Sequence, residues 1–390
     1  MATTNQMGTA QEAGRPQPQT TIESSAGGPF IRHSQRGRAP QYSVSGTAFG
    51  GIVTQPLVAR PGYFAALRVT LAASGGVNGS VTVAAAADAP YSAVALVTLK
   101  DAFGTPLIVA PGYEAFNLVS IYGGGFGINN GSNFPANLPS YSATSTGSSG
   151  TGNFSFSTNL PFEFSKGYGL LSAANASLLP TLQFNYAASS SVYSTAPGTL
   201  PTLTTTVDSD FFWLPEGVAV EPPGLGTTRQ WILQQLNPTV ASAASARLQF
   251  PRLGGYLDTI IMEARDSTGA RVDILNTSAR LQFYVDGVPL LDSTVSELYD
   301  DMAIQFGYSS GLSSTTRPTG TFAISRKTSL SQQSLGILDS GEVFLSTNPG
   351  TLLEINQSPW ASITNAPATV SALVGQVVPT GALIQGLPEL

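Results

Sequence analysis

The chain has 390 residues, of which 10% are charged and 42% hydrophobic, with 41 glycines, 27 prolines, no cysteine and a single histidine, His33. That composition excludes wholesale disorder, which needs few apolar residues and a high net charge. It also excludes thiol nucleophiles, disulfide frameworks, His-based triads and zinc sites in the body of the chain. The net charge of −6 is uneven, because Arg15, Arg32, Arg36 and Arg38 outnumber Glu12 and Glu23 near the start and leave an acidic remainder, whose general surface is unsuited to nucleic acid.

The first twenty residues are polar, with no apolar stretch of the kind that directs export, and no window approaches the ~20 apolar residues that span a bilayer. Residues 1–45 read as a flexible arm rich in Gln, Thr, Gly and Pro, ending in the basic run Arg32-His33-Ser34-Gln35-Arg36-Gly37-Arg38. From Tyr42 onward the pattern turns to short alternating runs between turn residues, the signature of half-buried strands. Tyr63–Leu71, Ser80–Val83, Ala93–Leu99, Phe154–Ser157 and Leu182–Tyr186 are examples, followed by Arg247–Phe250, Leu281–Val285, Thr321–Ile324 and Glu342–Leu345. The best helical candidate is Val295–Phe306, where Leu298, Met302 and Phe306 share a face.

The aromatic strand Phe211-Phe212-Trp213 runs into Leu214-Pro215-Glu216-Gly217 and then Glu221-Pro222-Pro223-Gly224, which cannot continue a sheet. The expected organisation is therefore an arm (1–45), a first β domain (46–215), a Pro/Gly linker (216–228) and a second β domain (229–390). Tyr91–Gly104 and Tyr256–Gly269 align at a constant offset of 165 residues, matching Tyr91 with Tyr256, Lys100 with Arg265, Asp101 with Asp266 and Gly104 with Gly269. Thr181-Leu182 meets Thr351-Leu352 more loosely, at an offset of 170. Turn chemistry alone favours Asp and Gly at such places, but the ordered recurrence in equal halves favours a duplication of β-sandwich domains.

Catalytic signatures are missing. No lysine sits in a P-loop setting, Gly123-Gly124-Gly125-Phe126-Gly127 lacks dinucleotide-binding spacing, and Gly147-Ser148-Ser149-Gly150 is not a nucleophile elbow. The carboxylate pairs Asp208/Asp210 and Asp300/Asp301 read as a solvated turn and a helix face. Trp213, Trp231 and Trp360 are either sugar-stacking platforms or, as is commoner beside Phe211 and Phe212, core or interface. No enzyme activity, metal or cofactor is expected.

The arm followed by two sandwich halves, Leu99–Gly104, Tyr256–Ile260, Arg317–Phe322 and Asn348–Leu352 together resemble the double jelly-roll major capsid proteins of tectivirus-type phages, which are tailless and carry an internal membrane. The chain departs from that family in its low charge and in the Ser/Thr/Gly loop at Tyr141–Gly152. The resemblance implies an all-β fold of two tandem jelly rolls, and a homotrimer forming a pseudo-hexagonal capsomer of an icosahedral shell. It implies a virion protein made in the host cytoplasm, with neighbouring capsomers and vertex proteins as partners and no small-molecule substrate. It further places Arg32, Arg36 and Arg38 on the inner face, near membrane or genome. A weakly charged body suits such assembly, since like charges repeated on every copy repel. The competing reading is a receptor-binding spike or glycan-binding β-sandwich, for which the sequence has neither a repetitive shaft nor an attachment signal.

Overall fold

The computed structural model describes residues 30, 33–119, 141–142, 144–163, 169–175, 177–216, 227–235, 247–250, 255–267, 269–274, 278–306, 319–325, 345–347, 350–356 and 369–379. Its principal strands in the first half are β1 (Gln35–Thr47), β2 (Ile52–Pro56), β3 (Tyr63–Ser74), β4 (Val94–Lys100), β5 (Pro106–Ala110), β6 (Phe154–Pro161), β7 (Thr181–Tyr186) and β8 (Thr202–Trp213). Those of the second half are β9 (Thr227–Gln235), β10 (Arg247–Gln249), β11 (Tyr256–Arg265), β12 (Arg280–Val285), β13 (Val288–Thr294), β14 (Thr321–Ser325), β15 (Leu353–Asn356) and β16 (Thr369–Pro379). Helix α1 (Val295–Phe306) follows β13, as a π-helical turn at Glu114–Val119 follows β5.

The first half forms two antiparallel sheets, ordered β1-β8-β3-β6 and β2-β7-β4-β5. Alternation explains the packing: in β7, Leu182, Phe184 and Tyr186 point inward while the residues between them are half-buried. Phe116 ties the two layers together, its ring 5.5 Å from Phe156 of β6 and 6.1 Å from Phe184 of β7. The second half repeats the plan as β9-β16-β11-β14 and β10-β15-β12-β13, so every strand corresponds to the one eight labels earlier. The halves are joined where β9 lies parallel to β5, pairing Trp231 with Ile108 and Ile232 with Val109.

Bulges set the correspondence to the residue. The β8–β3 ladder slips between Phe64 and Ala66, and the β16–β11 ladder slips between Leu257 and Thr259. Reading across those rungs, Asp210 matches Gly375 and Arg38 matches Trp231. The hairpins match as well. Leu99 faces Ile108 before Lys100 faces Pro106, and Phe283 faces Leu291 before Tyr284 faces Pro289, so Leu107 and Leu290 are the same bulged residue.

This correspondence corrects the repeat read from the sequence. Tyr91–Gly104 against Tyr256–Gly269 sets β4 on β11, whereas β4 corresponds to β12 and β11 to β3. The two segments share a turn: Asp101 Oδ1 accepts from the N–H groups of Phe103 and Thr105, and Asp266 Oδ1 from that of Ala270. Gly104 and Gly269 supply the positive φ, +86° and +82°, that each turn needs. The looser pair, Thr181-Leu182 with Thr351-Leu352, comes near the true counterparts β7 and β15 but is three residues out of register, since Thr181 matches Glu354 and Leu182 matches Ile355.

Two further expectations differ. Ser80–Val83 is not a strand; Val83 makes only an isolated bridge to Gly147. Gln35–Thr47, expected for the most part within the arm, is strand β1, because Ala39, Tyr42 and Val44 pack on the core and the ladder to β8 pairs the backbone groups along one of its edges. Arg32, Trp360, the glycine run at 123–127 and linker residues 217–226 lie outside the described residues.

Candidate functional site

Arg36 and Arg38 project from β1 toward β8, where Asp210 is 2% exposed. Arg38 donates from Nε to Asp210 Oδ1 at 2.7 Å, and Arg36 from Nη2 to Oδ2 at 2.8 Å. Burial disfavours the charge of Asp210, yet the hydrogen bonds from Arg38 and Arg36 hold its carboxyl below the usual range. Asp208 and Asp210 therefore sit in a strand, not in the solvated turn expected of them, and Asp210 is the anchor of β1. Asp300 and Asp301 do lie on a helix, α1.

The junction between the halves is built around Trp231, which is fully buried, with the guanidinium of Arg229 4.5 Å from its ring. Gly375 on β16 leaves room for the indole, since a Cβ there would lie 2.8 Å from the ring. Trp231 is thus core and seam, not a sugar platform.

An ion cluster also crosses from one half to the other. Asp88, from the loop before β4, accepts from Arg265 Nη1 at 2.7 Å and from Arg271 Nε at 2.8 Å. Arg265 also pairs with Glu263 of its own strand and lies 3.9 Å from Glu114. The Arg271 guanidinium rests 3.9 Å from the centre of the Tyr113 ring. Burial, and then the charge of Glu114, push the Glu263 carboxyl up to about 8, outweighing the attraction of Arg265. Burial raises Glu114 too. A cavity of about 390 Å³ opens next to this cluster, lined in part by Asp88, Ser92, Tyr113, Glu114, Arg265 and Ser371.

Two arginines, Arg265 and Arg271, face three carboxyls, Asp88, Glu114 and Glu263, so a proton on one of the buried glutamates leaves the cluster neutral, as burial favours. Its chemistry is that of a clamp: every cation in it already holds a carboxylate. Sequence reasoning did not single out these residues. The available signal was Glu263 and Arg265 in the otherwise apolar run Ile260-Ile261-Met262-Glu263-Ala264-Arg265, since charges inside a buried strand require partners.

No family model and no curated protein matches the chain. Solved structures do. The STIV major capsid protein covers 91% of this chain over 100% of its own length, with a TM-score of 0.60 at 14% identity. The fold is the double jelly roll. A chain in the atomic structure of Sulfolobus Turreted Icosahedral Virus gives 0.56 at 13% identity, covering 90% of this chain and 94% of its own. VP54 of PBCV-1, fitted into a reconstruction of the virophage Sputnik, gives 0.56 at 14%, covering 89% and 95%. The likeness is thus to double jelly rolls of several viruses and not to the tectivirus type in particular.

Proposed function

We propose that this chain is a viral major capsid protein, trimerising into pseudo-hexagonal capsomers that assemble an icosahedral shell. The observation that carries the reading is the whole-length likeness of both rolls to the STIV major capsid protein, with nothing of that protein left over. Two similar rolls per chain give a trimer six similar blocks, which is what a six-sided tile requires. The role is structural, not catalytic, and the protein's place is the virion.

In this reading the two building blocks run from β1 to β8 and from β9 to β16, so the expected bounds 46–215 and 229–390 extend at their starts to take in β1 and the first residues of β9, and the chain between β8 and β9 is the connection. The segment ahead of β1, with Arg32, extends to the inner face and meets membrane or genome phosphates by charge. Neighbouring capsomers contact its sides, and other capsid proteins meet it at the vertices.

Native mass measurement of the purified protein, with negative-stain images of the same sample, tests this. Trimers with a six-sided outline, or closed shells, are the expected result. A monomer at every salt concentration and pH tried overturns it.

A further inference from the structure

The two rolls repeat, but their surroundings do not. In the first roll, β9 runs along the outer edge of β5, and the bulged Leu107 is 2% exposed. The corresponding edge of the second roll is β13. Its bulged residue, Leu290, is 44% exposed, and Val288 beside it is 60% exposed. Among the described residues β13 ends its sheet, with β12 on one side and no strand on the other. The strand that corresponds to β9 is β1, and among the described residues β1 also ends its sheet, paired only with β8. Each chain therefore carries one junction already made, β5 with β9, and the two halves of a second, left open at opposite ends of the repeat.

We propose that β13 of one copy receives β1 of a second copy in parallel, reproducing between subunits the junction that β5 and β9 make within one. This rests on the assembly reading above and specifies its interface. The register follows from the bulges. Trp231 opposite Ile108 becomes Arg38 opposite Leu291, and Ile232 opposite Val109 becomes Ala39 opposite Asp292.

Two observations support that occupant. An open edge with exposed aliphatic side chains is what solitary β proteins avoid, because it templates pairing. In the same register Gly37 comes opposite the exposed Leu290, and the partly buried Trp213 ring lies over Gly37, where a Cβ would be 2.6 Å from it, so the facing strand offers an apolar surface at that point. The contact is head-to-tail, so it either closes a ring or runs on. With two rolls per chain, three copies make a ring in which every roll meets the next through one kind of edge.

The chain has no cysteine, so an engineered pair reports the contact cleanly. Ala39→Cys and Asp292→Cys are placed in separate chains, mixed and oxidised mildly, then run on a non-reducing gel. The expected result is a disulfide-linked dimer from the mixture and none from either variant alone. In parallel, Leu290→Lys, at an exposed position, is expected to shift the native mass from multimer to monomer while leaving the melting temperature within a few degrees of the parent. If the parent assembles but the mixture does not crosslink and Leu290→Lys assembles normally, the edge pairing is wrong and the capsid reading stands. If the parent itself stays monomeric, both fall.

Discussion

Arg38 reaches Asp210 across two strands whose residues lie 172 positions apart, with Nε 2.7 Å from Oδ1. This pair, with Arg36, makes β1 part of the sheet and not a loose arm. The burden is unequal, since the carboxylate is buried while both guanidinium groups keep access to water.

Removing the acid should therefore cost less than removing the bases. Asp210→Ala frees two arginines into solvent and is expected to cost roughly 1.5–3 kcal/mol, the scale of hydrogen bonds to a charged group. The double variant Arg36→Ala, Arg38→Ala strands a buried charge and is expected to cost about 3–5 kcal/mol. Denaturant unfolding of both variants checks the order. Because the Asp210 carboxyl is held low, its contribution is present above the usual carboxylate range and lost as pH falls through the lowered value.

The cluster at the roll junction should respond in the opposite direction. The Glu263 carboxyl rises from 4.5 in the unfolded chain to about 8 when folded, so the folded state holds the extra proton. Its stabilisation is full below the unfolded value and declines as pH rises toward 8, by up to about 1.4 kcal/mol per pH unit. Glu263→Gln keeps the shape, cannot ionise, and is expected to flatten that slope. Melting temperatures of parent and variant between the two pKa values decide it; identical slopes would place the coupling elsewhere.

Trp231 fills the seam between the rolls, and Trp231→Ala is expected to cost about 3–5 kcal/mol, as large-to-small changes of buried aromatics do. The informative readout is cooperativity. With the seam intact the rolls are expected to melt in one calorimetric transition, and without the indole in two. Gly375→Ala, which presses a methyl group against the same ring, should act in the same direction.

Local signals in the sequence were legible where the physics is local. Helix α1 spans Val295–Phe306 as its spacing of Leu298 and Met302 predicts. Thr294 and Glu297 add a reciprocal cap, with the Thr294 N–H donating to Glu297 Oε2 at 2.7 Å and the Glu297 N–H to Thr294 Oγ1 at 3.2 Å. The runs at Tyr63, Ala93, Phe154 and Leu182 became β3, β4, β6 and β7 because alternation identifies a strand with one face buried. Ser80–Val83 has the same alternation and failed, having only one bridging partner at Val83.

The repeat shows where such reading ends. Asp101 and Asp266 organise alike turns with three intervening residues or fewer, so their likeness carries no information about which strands they join. The matching pair Pro106-Leu107-Ile108 and Pro289-Leu290-Leu291 was equally visible, but only the shared bulge gives it meaning.

By itself the sequence determined the all-β character, the positions of about half of the principal strands, the helix, and the division into two comparable halves, because each depends on residues a few places apart. Tertiary structure alone decided which strands correspond, that Asp210 and the β1 arginines are partners, that Asp88 and Arg265 meet across the junction, and that one edge of the repeat is covered while its twin is open. Those outcomes depend on contacts between segments more than a hundred residues apart, whose energies are set by burial and register that no local pattern encodes.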